Sequence, residues 1–147
     1  MALDPFVYEK TKPFTVLTGQ TVRLGRLVEG GAATIREAQA DSETVIGVAY
    51  SAQAKSVYQS DGVTARADGT VYAGETVAVG MYGVYWVPEK AGGSSGIVTG
   101  DLLVAAADGT VDKFDKGSDN EECIIGRAVS EITAINSVNY VQVKLSL

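Results

Sequence analysis

The chain contains no histidine. That removes the side chain whose ordinary pKa lies nearest neutrality, and with it the Ser-His-Asp and Cys-His nucleophile arrangements. It also removes the commonest transition-metal ligand and leaves Cys123 as the one soft donor. A single cysteine cannot form an intramolecular disulfide, so nothing implies an oxidising compartment. The chain has only three prolines, and no apolar run approaches the roughly 20 residues that cross a bilayer as a helix. Asp4, Pro5 and Glu9 interrupt the first residues, so no signal peptide is expected, and synthesis in the cytoplasm is. Basic side chains are outnumbered 12 to 18, which leaves a net charge of −6. An acidic surface repels phosphate, so neither nucleic acid nor an anionic membrane is an expected partner.

What is present is the material of strands. The 147 residues are 46% hydrophobic and include 17 glycines, with many Val and Thr and no sustained heptad-like stripe. That combination predicts an all-β protein of short strands joined by tight turns, in a chain of one-domain size. Residues 1–18 read as an extended N-terminal arm. Pro5 and Pro13 fix φ and remove backbone donors, while Phe6, Tyr8 and Phe14 alternate with polar neighbours such as Glu9 and Lys12. Two readings stand side by side: an edge strand on its own domain, or an arm that docks on a partner by strand addition.

Residues 19–147 read as a single β domain, with central hairpins over 55–88. Asp-Gly, a strong hairpin signal, occurs at Asp61-Gly62, Asp68-Gly69 and Asp108-Gly109. Val141, Val143 and Leu145 alternate with Tyr140, Gln142 and Lys144, the pattern of a half-buried strand. By propensity alone residues 33–43 suit a helix, and residues 133–137 suit a single helical turn.

An internal repeat decides the first of these. One copy, near 18–50, runs Thr18-Gly19-Gln20-Thr21-Val22, Ala33-Thr34-Ile35, then Val45-Ile46-Gly47-Val48-Ala49. The other, near 99–129, runs Thr99-Gly100-Asp101-Leu102-Leu103, Gly109-Thr110-Val111, then Ile124-Ile125-Gly126-Arg127-Ala128. Ala73-Gly74-Glu75-Thr76-Val77 repeats the opening. The opening Gly is expected at φ > 0, and the Gly of Ile-Gly-x-Ala at a bulge or a close backbone approach. Residues 33–43 are therefore strand and loop, and the whole is a compact barrel or sandwich of about 10 short strands.

No constellation carries chemistry. Asp112, Asp115, Asp119, Glu121 and Glu122 form the densest acidic cluster, but Phe114 occupies the third position counted from Asp112, where a calcium loop needs a ligand, so they read as a solvated loop. Cys123 aligns with Thr44 and reads as a half-buried strand residue. Residues 91–96 are Gly-rich but lack the Gly-Lys-Ser/Thr ending of a phosphate loop. Tyr82, Tyr85 and Trp86 share one strand closed by Pro88, where aromatic side chains fill a core, an interface or a sugar-stacking platform. No catalytic, metal or cofactor residue is expected, and the chain reads as non-enzymatic. Candidate partner contacts are Pro5, Phe6, Tyr8 and Phe14 in the arm, with Tyr82, Tyr85 and Trp86 in the aromatic strand.

Several of these elements, in this order, resemble the capsid cement or head decoration proteins of tailed bacteriophages. They are Ala73-Gly74-Glu75-Thr76-Val77, Gly83-Val84-Tyr85-Trp86-Val87-Pro88, Gly100-Asp101 opening a strand, Asp108-Gly109-Thr110-Val111, Ile125-Gly126-Arg127-Ala128 and Val141-Gln142-Val143-Lys144-Leu145. The likeness covers about half of the chain, from Gly74 onward, and a looser one extends to the lambda-type head decoration protein. It implies a mostly β subunit on the outer face of a phage head, with the major capsid protein as partner and a homotrimer as the favoured assembly. Residues 1–72 depart from the shorter lambda-type proteins. Rival expectations are another virion subunit, associated with a tail or fibre, and a carbohydrate-binding or adhesion module built on Trp86.

Overall fold

In the computed structural model, residues 11–31, 33–52, 69–91 and 96–147 are described. The arm residues Pro5, Phe6 and Tyr8 and the Asp61-Gly62 turn lie outside them. Thirteen strands occur among the described residues. The first half holds β1 (Thr11–Val16), β2 (Thr21–Arg23), β3 (Leu27–Gly30), β4 (Thr34–Glu37), β5 (Val45–Ala52), β6 (Thr70–Tyr72) and β7 (Thr76–Gly80). The second holds β8 (Val84–Pro88), β9 (Leu102–Ala105), β10 (Val111–Lys113), β11 (Ile124–Ala128), β12 (Thr133–Ile135) and β13 (Val138–Leu145). The fold is all-β, as the composition predicts.

Strands β1-β4-β3-β5-β7 close into a barrel. In the second half β10-β9-β11-β13 run in the same order, with β8 on the far side of β13. Here the seam is narrower: one parallel bridge joins Glu89 to Val111, and the Lys90 N–H donates to the Val111 carbonyl at 2.9 Å. The first barrel closes through the matching bond, from the Leu17 N–H to the Ile35 carbonyl at 2.9 Å.

The two barrels are copies down to their register. Val28 faces Gly47 and Leu103 faces Gly126, and in both pairs the next residue back, Ile46 or Ile125, is an extra residue that makes a bulge. The cause is steric. A Cβ at Gly47 would run into the Gly80 carbonyl, and one at Gly126 into the Lys144 carbonyl, so both positions need the hydrogen side chain. Ala49 lies opposite Val79 as Ala128 lies opposite Val143. Each barrel packs its own interior, Val16, Val28, Ile35, Val77 and Val79 in the first, Val87, Leu103, Val111, Val141 and Val143 in the second.

The repeat is therefore real and wider than the sequence indicates, spanning 11–80 and 84–145. Its opening is corrected. Gly25, not Gly19, is the counterpart of Gly100: their N–H groups donate to Ala49 and Ala128 at 2.7 and 2.8 Å. Gly19, Gly74 and Gly100 share only a tight turn, each at positive φ and followed by an N–H that bonds three residues back. A turn-forming tetrapeptide reports local geometry and not a place in a barrel. The Gly19 turn in fact leads into β2, which pairs with β6 as a ribbon belonging to the first half alone.

Residues 34–37 form a strand, as the repeat demands. Residues 133–137 form no helical turn. They are β12 and the two-residue turn Asn136-Ser137, both at positive φ (50° and 65°), which reverses the chain into β13. Left-handed conformation at both turn residues suits the right-handed twist of a tight hairpin. The Asp108-Gly109 hairpin is also present. Its tip, a 3-10 turn at Ala107–Gly109, rests on the first barrel, where the Gly109 N–H donates to the Ala38 carbonyl and Arg26 donates to the Asp108 carbonyl, both at 2.8 Å.

Candidate partner-contact surface

β1 places Phe14 half-buried against the interior of the first barrel. The described end of the arm is thus a barrel strand, paired antiparallel with β7 and parallel with β4. Phe14 fills a core edge and presents little surface to a partner.

The aromatic strand divides its residues by function. Val87 and Pro88 are buried, while Val84 and Trp86 face outward, Trp86 with 43% of its surface exposed. Tyr85 points inward toward the first barrel. Its ring lies over Gly80, where a Cβ would strike the phenol oxygen, and meets Tyr50 edge-on at 6.0 Å between centroids. Its hydroxyl donates to the Tyr82 carbonyl at 2.5 Å. Burial, then the neighbouring Tyr50, pushes the Tyr85 phenol above its ordinary pKa. Tyr85 is thus a fixed support that locks β8 against β5 and β7. Tyr82 is 51% exposed and Tyr50 is 59% exposed. The sequence reading does not single out Tyr50. It is the extra residue of a bulge, with Ala49 opposite Val79 and Ser51 opposite Ala78, and no strand alternation announces where a bulge re-aims a side chain.

A groove of about 900 Å³ opens along the seam of the second barrel. Charges of both signs line it, among them Arg26, Glu89, Lys90 and Asp112. Lys90 and Asp112 pair at 2.8 Å. Burial and then the neighbouring Arg23 lower the Arg26 pKa, against which Glu37 and Asp108 act.

Two carboxylates of the acidic loop bond to its own backbone. Asp115 accepts from the Gly117 N–H at 2.8 Å, and Asp119 from the Asp115 N–H at 2.7 Å. Among the described residues no group of three or more His, Cys, Asp or Glu is placed to hold a metal ion. Cys123 departs from the strand reading: it ends a 3-10 turn at Glu121–Cys123, is buried, and its S–H donates to the Asp41 carbonyl of the first barrel at 3.1 Å. Burial is the main cause that pushes its thiol pKa up, which disfavours the reactive thiolate.

No model of a known protein family matches the chain, and no curated protein does. Among solved structures it is similar to the N base of the head fibre protein gp8.5 of bacteriophage phi29. The two share 22% identity at a TM-score of 0.50, over 93% of this chain and 99% of that one. At this identity the likeness is one of fold.

Proposed function

We propose that the chain is a non-enzymatic structural protein of a bacteriophage virion, a decoration subunit that attaches to the outer surface of the head through the major capsid protein. The observation that carries the reading is the fold likeness, which runs almost the full length of both chains, to a base module of a phage head fibre. The missing histidine and the backbone-bonded carboxylates of Asp115 and Asp119 agree with a structural role. So does the exposed aromatic surface at Tyr50, Tyr82 and Trp86. Many copies on one lattice multiply a modest contact, so a single subunit needs only weak affinity to stabilise a shell. A homotrimer is the assembly that the cement-protein resemblance favours.

The same likeness favours a second reading, in which the two barrels are the base that seats a fibre on the head. Both share one test. Purified protein is mixed with expanded shells that lack it, and the particles are sedimented. Saturable co-sedimentation at fixed stoichiometry is the expected result, and none at micromolar protein would overturn both. Micrographs of whole virions labelled with an antibody to the chain separate the two readings, since a base lies at the foot of a projecting fibre and a cement subunit lies flat on the shell.

A further inference from the structure

The repeat exposes a face that the molecule itself uses once as an interface. Across the outside of the first barrel one row of residues runs in register from strand to strand: Ala38 bonded beside Leu27, Leu27 opposite Val48, Val48 opposite Gly80. Ala38, Leu27 and Val48 are fully buried, because the second barrel covers them and they join its hydrophobic cluster. The second barrel carries the same row. Phe114 bonds beside Leu102, Leu102 lies opposite Arg127, Arg127 opposite Lys144, and Lys144 opposite Val84. No described segment covers this copy: Arg127, Lys144 and Val84 are exposed, and Phe114 and Leu102 are half-exposed.

Its chemistry has changed with its exposure. Where the covered row has Val48 and Gly80, the open one has Arg127 and Lys144. Polar replacement of an outer face is what the last unit of a stack needs in order to stay soluble. The apolar flanks nevertheless remain, with Trp86 opposite Gln142 two register positions from the row and on the same face. The three strands β8, β11 and β13 contain no Asp or Glu, in a chain whose net charge is −6. Among the described residues Lys144 has no ion-pair partner, and Arg127 donates to the Gly100 carbonyl at 3.0 Å. Two cations between apolar flanks, on an otherwise acidic molecule, complement an acidic protein surface with an apolar front.

We infer that this open copy of the internal interface, centred on Arg127, Lys144, Val84 and Trp86, is the surface by which the chain docks on an acidic patch of the shell protein. This rests on the proposed function and names the face and the charge that serve it. All four side chains stand outside the barrel cores, so they can be changed with the fold intact.

The experiment compares wild type, the double variant Arg127→Glu/Lys144→Glu, and Lys116→Glu in the acidic loop. Each is mixed with expanded shells and sedimented at low and at physiological salt, with thermal melting to establish that each is folded. Wild type and Lys116→Glu are expected to bind alike, more weakly as salt rises. The double reversal is expected to lose at least tenfold in affinity at low salt and to lose that salt dependence. If wild type binds and a folded double variant binds equally well, the inference fails and the functional reading stands. If wild type does not bind, the functional reading fails and the inference fails with it. Sedimentation velocity of the chain alone supplies the other arm. Oligomers that the double reversal abolishes would assign the face to a second copy of this chain and overturn the inference.

Discussion

Gly47 and Gly126 show what a single residue contributes here. Each is a hydrogen side chain at the one point where the bulged strand presses on the carbonyl of its neighbour. Gly126→Ala must push β11 away from β13, and is expected to destabilise by about 3 kcal/mol, within the overpacking range. Gly19→Ala meets open space and pays only for its positive φ, about 1 kcal/mol. Urea unfolding of the two variants checks the ordering, and equal losses would refute the close-approach explanation. The Ile-Gly-x-Ala pattern makes this role legible in sequence, since interior strand glycines mark bulges or close approaches. It does not say what is approached. Cys123 shows the opposite case: the alignment with Thr44 predicts a half-buried strand residue, and the thiol instead bridges the two barrels by a bond to Asp41.

Among the elements, the β2–β6 ribbon is tied to β4 by a charge pair. Glu37, at the end of β4, accepts the Arg23 backbone N–H and Nε–H at 2.9 Å and Nη2–H at 2.7 Å. That hydrogen bonding is the main cause that raises the Arg23 pKa. Its carboxylate is largely shielded while the guanidinium is not, so the backbone contact carries much of the value. Glu37→Ala is expected to cost about 2 kcal/mol and to speed hydrogen exchange at Val22 and Val71, leaving Val143 in the other barrel protected. Unchanged exchange in the ribbon would show that Val22 and Val71, both buried, hold it without the pair. The ribbon is also where the sequence misleads, because its Gly19 opening imitates the turn before β9. Period-two alternation, by contrast, identifies β13 outright, and Val141, Val143 and Leu145 are buried as it predicts.

At the scale of the whole molecule the two barrels are joined by Leu27, Val48 and Ala38 from one and by the Asp108-Gly109 tip, Cys123 and Tyr85 from the other. Leu27 belongs by chain to the first barrel and by packing to the second core, so the two halves share a buried apolar interface. The expected result is one unfolding transition, with the fluorescence of Trp86, the chain's one tryptophan, coinciding with far-UV circular dichroism. The Val79 and Val143 amides are expected to exchange with the same free energy. A lower value at Val79 would mean that the barrels unfold separately. By itself the sequence determined the all-β class, the short strands, the bulge glycines and the existence of a repeat, because turn chemistry and side-chain alternation are properties of neighbours along the chain. Only the tertiary structure decided that the repeat makes two barrels, that Gly25 and not Gly19 begins the first copy's third strand, and that Tyr85 is a support while Tyr50 is exposed. It also decided which copy of the outer face is covered. These depend on pairing between residues tens of positions apart, and a local pattern that marks a bulge glycine does not say which side chain a bulge re-aims or which face a neighbour covers.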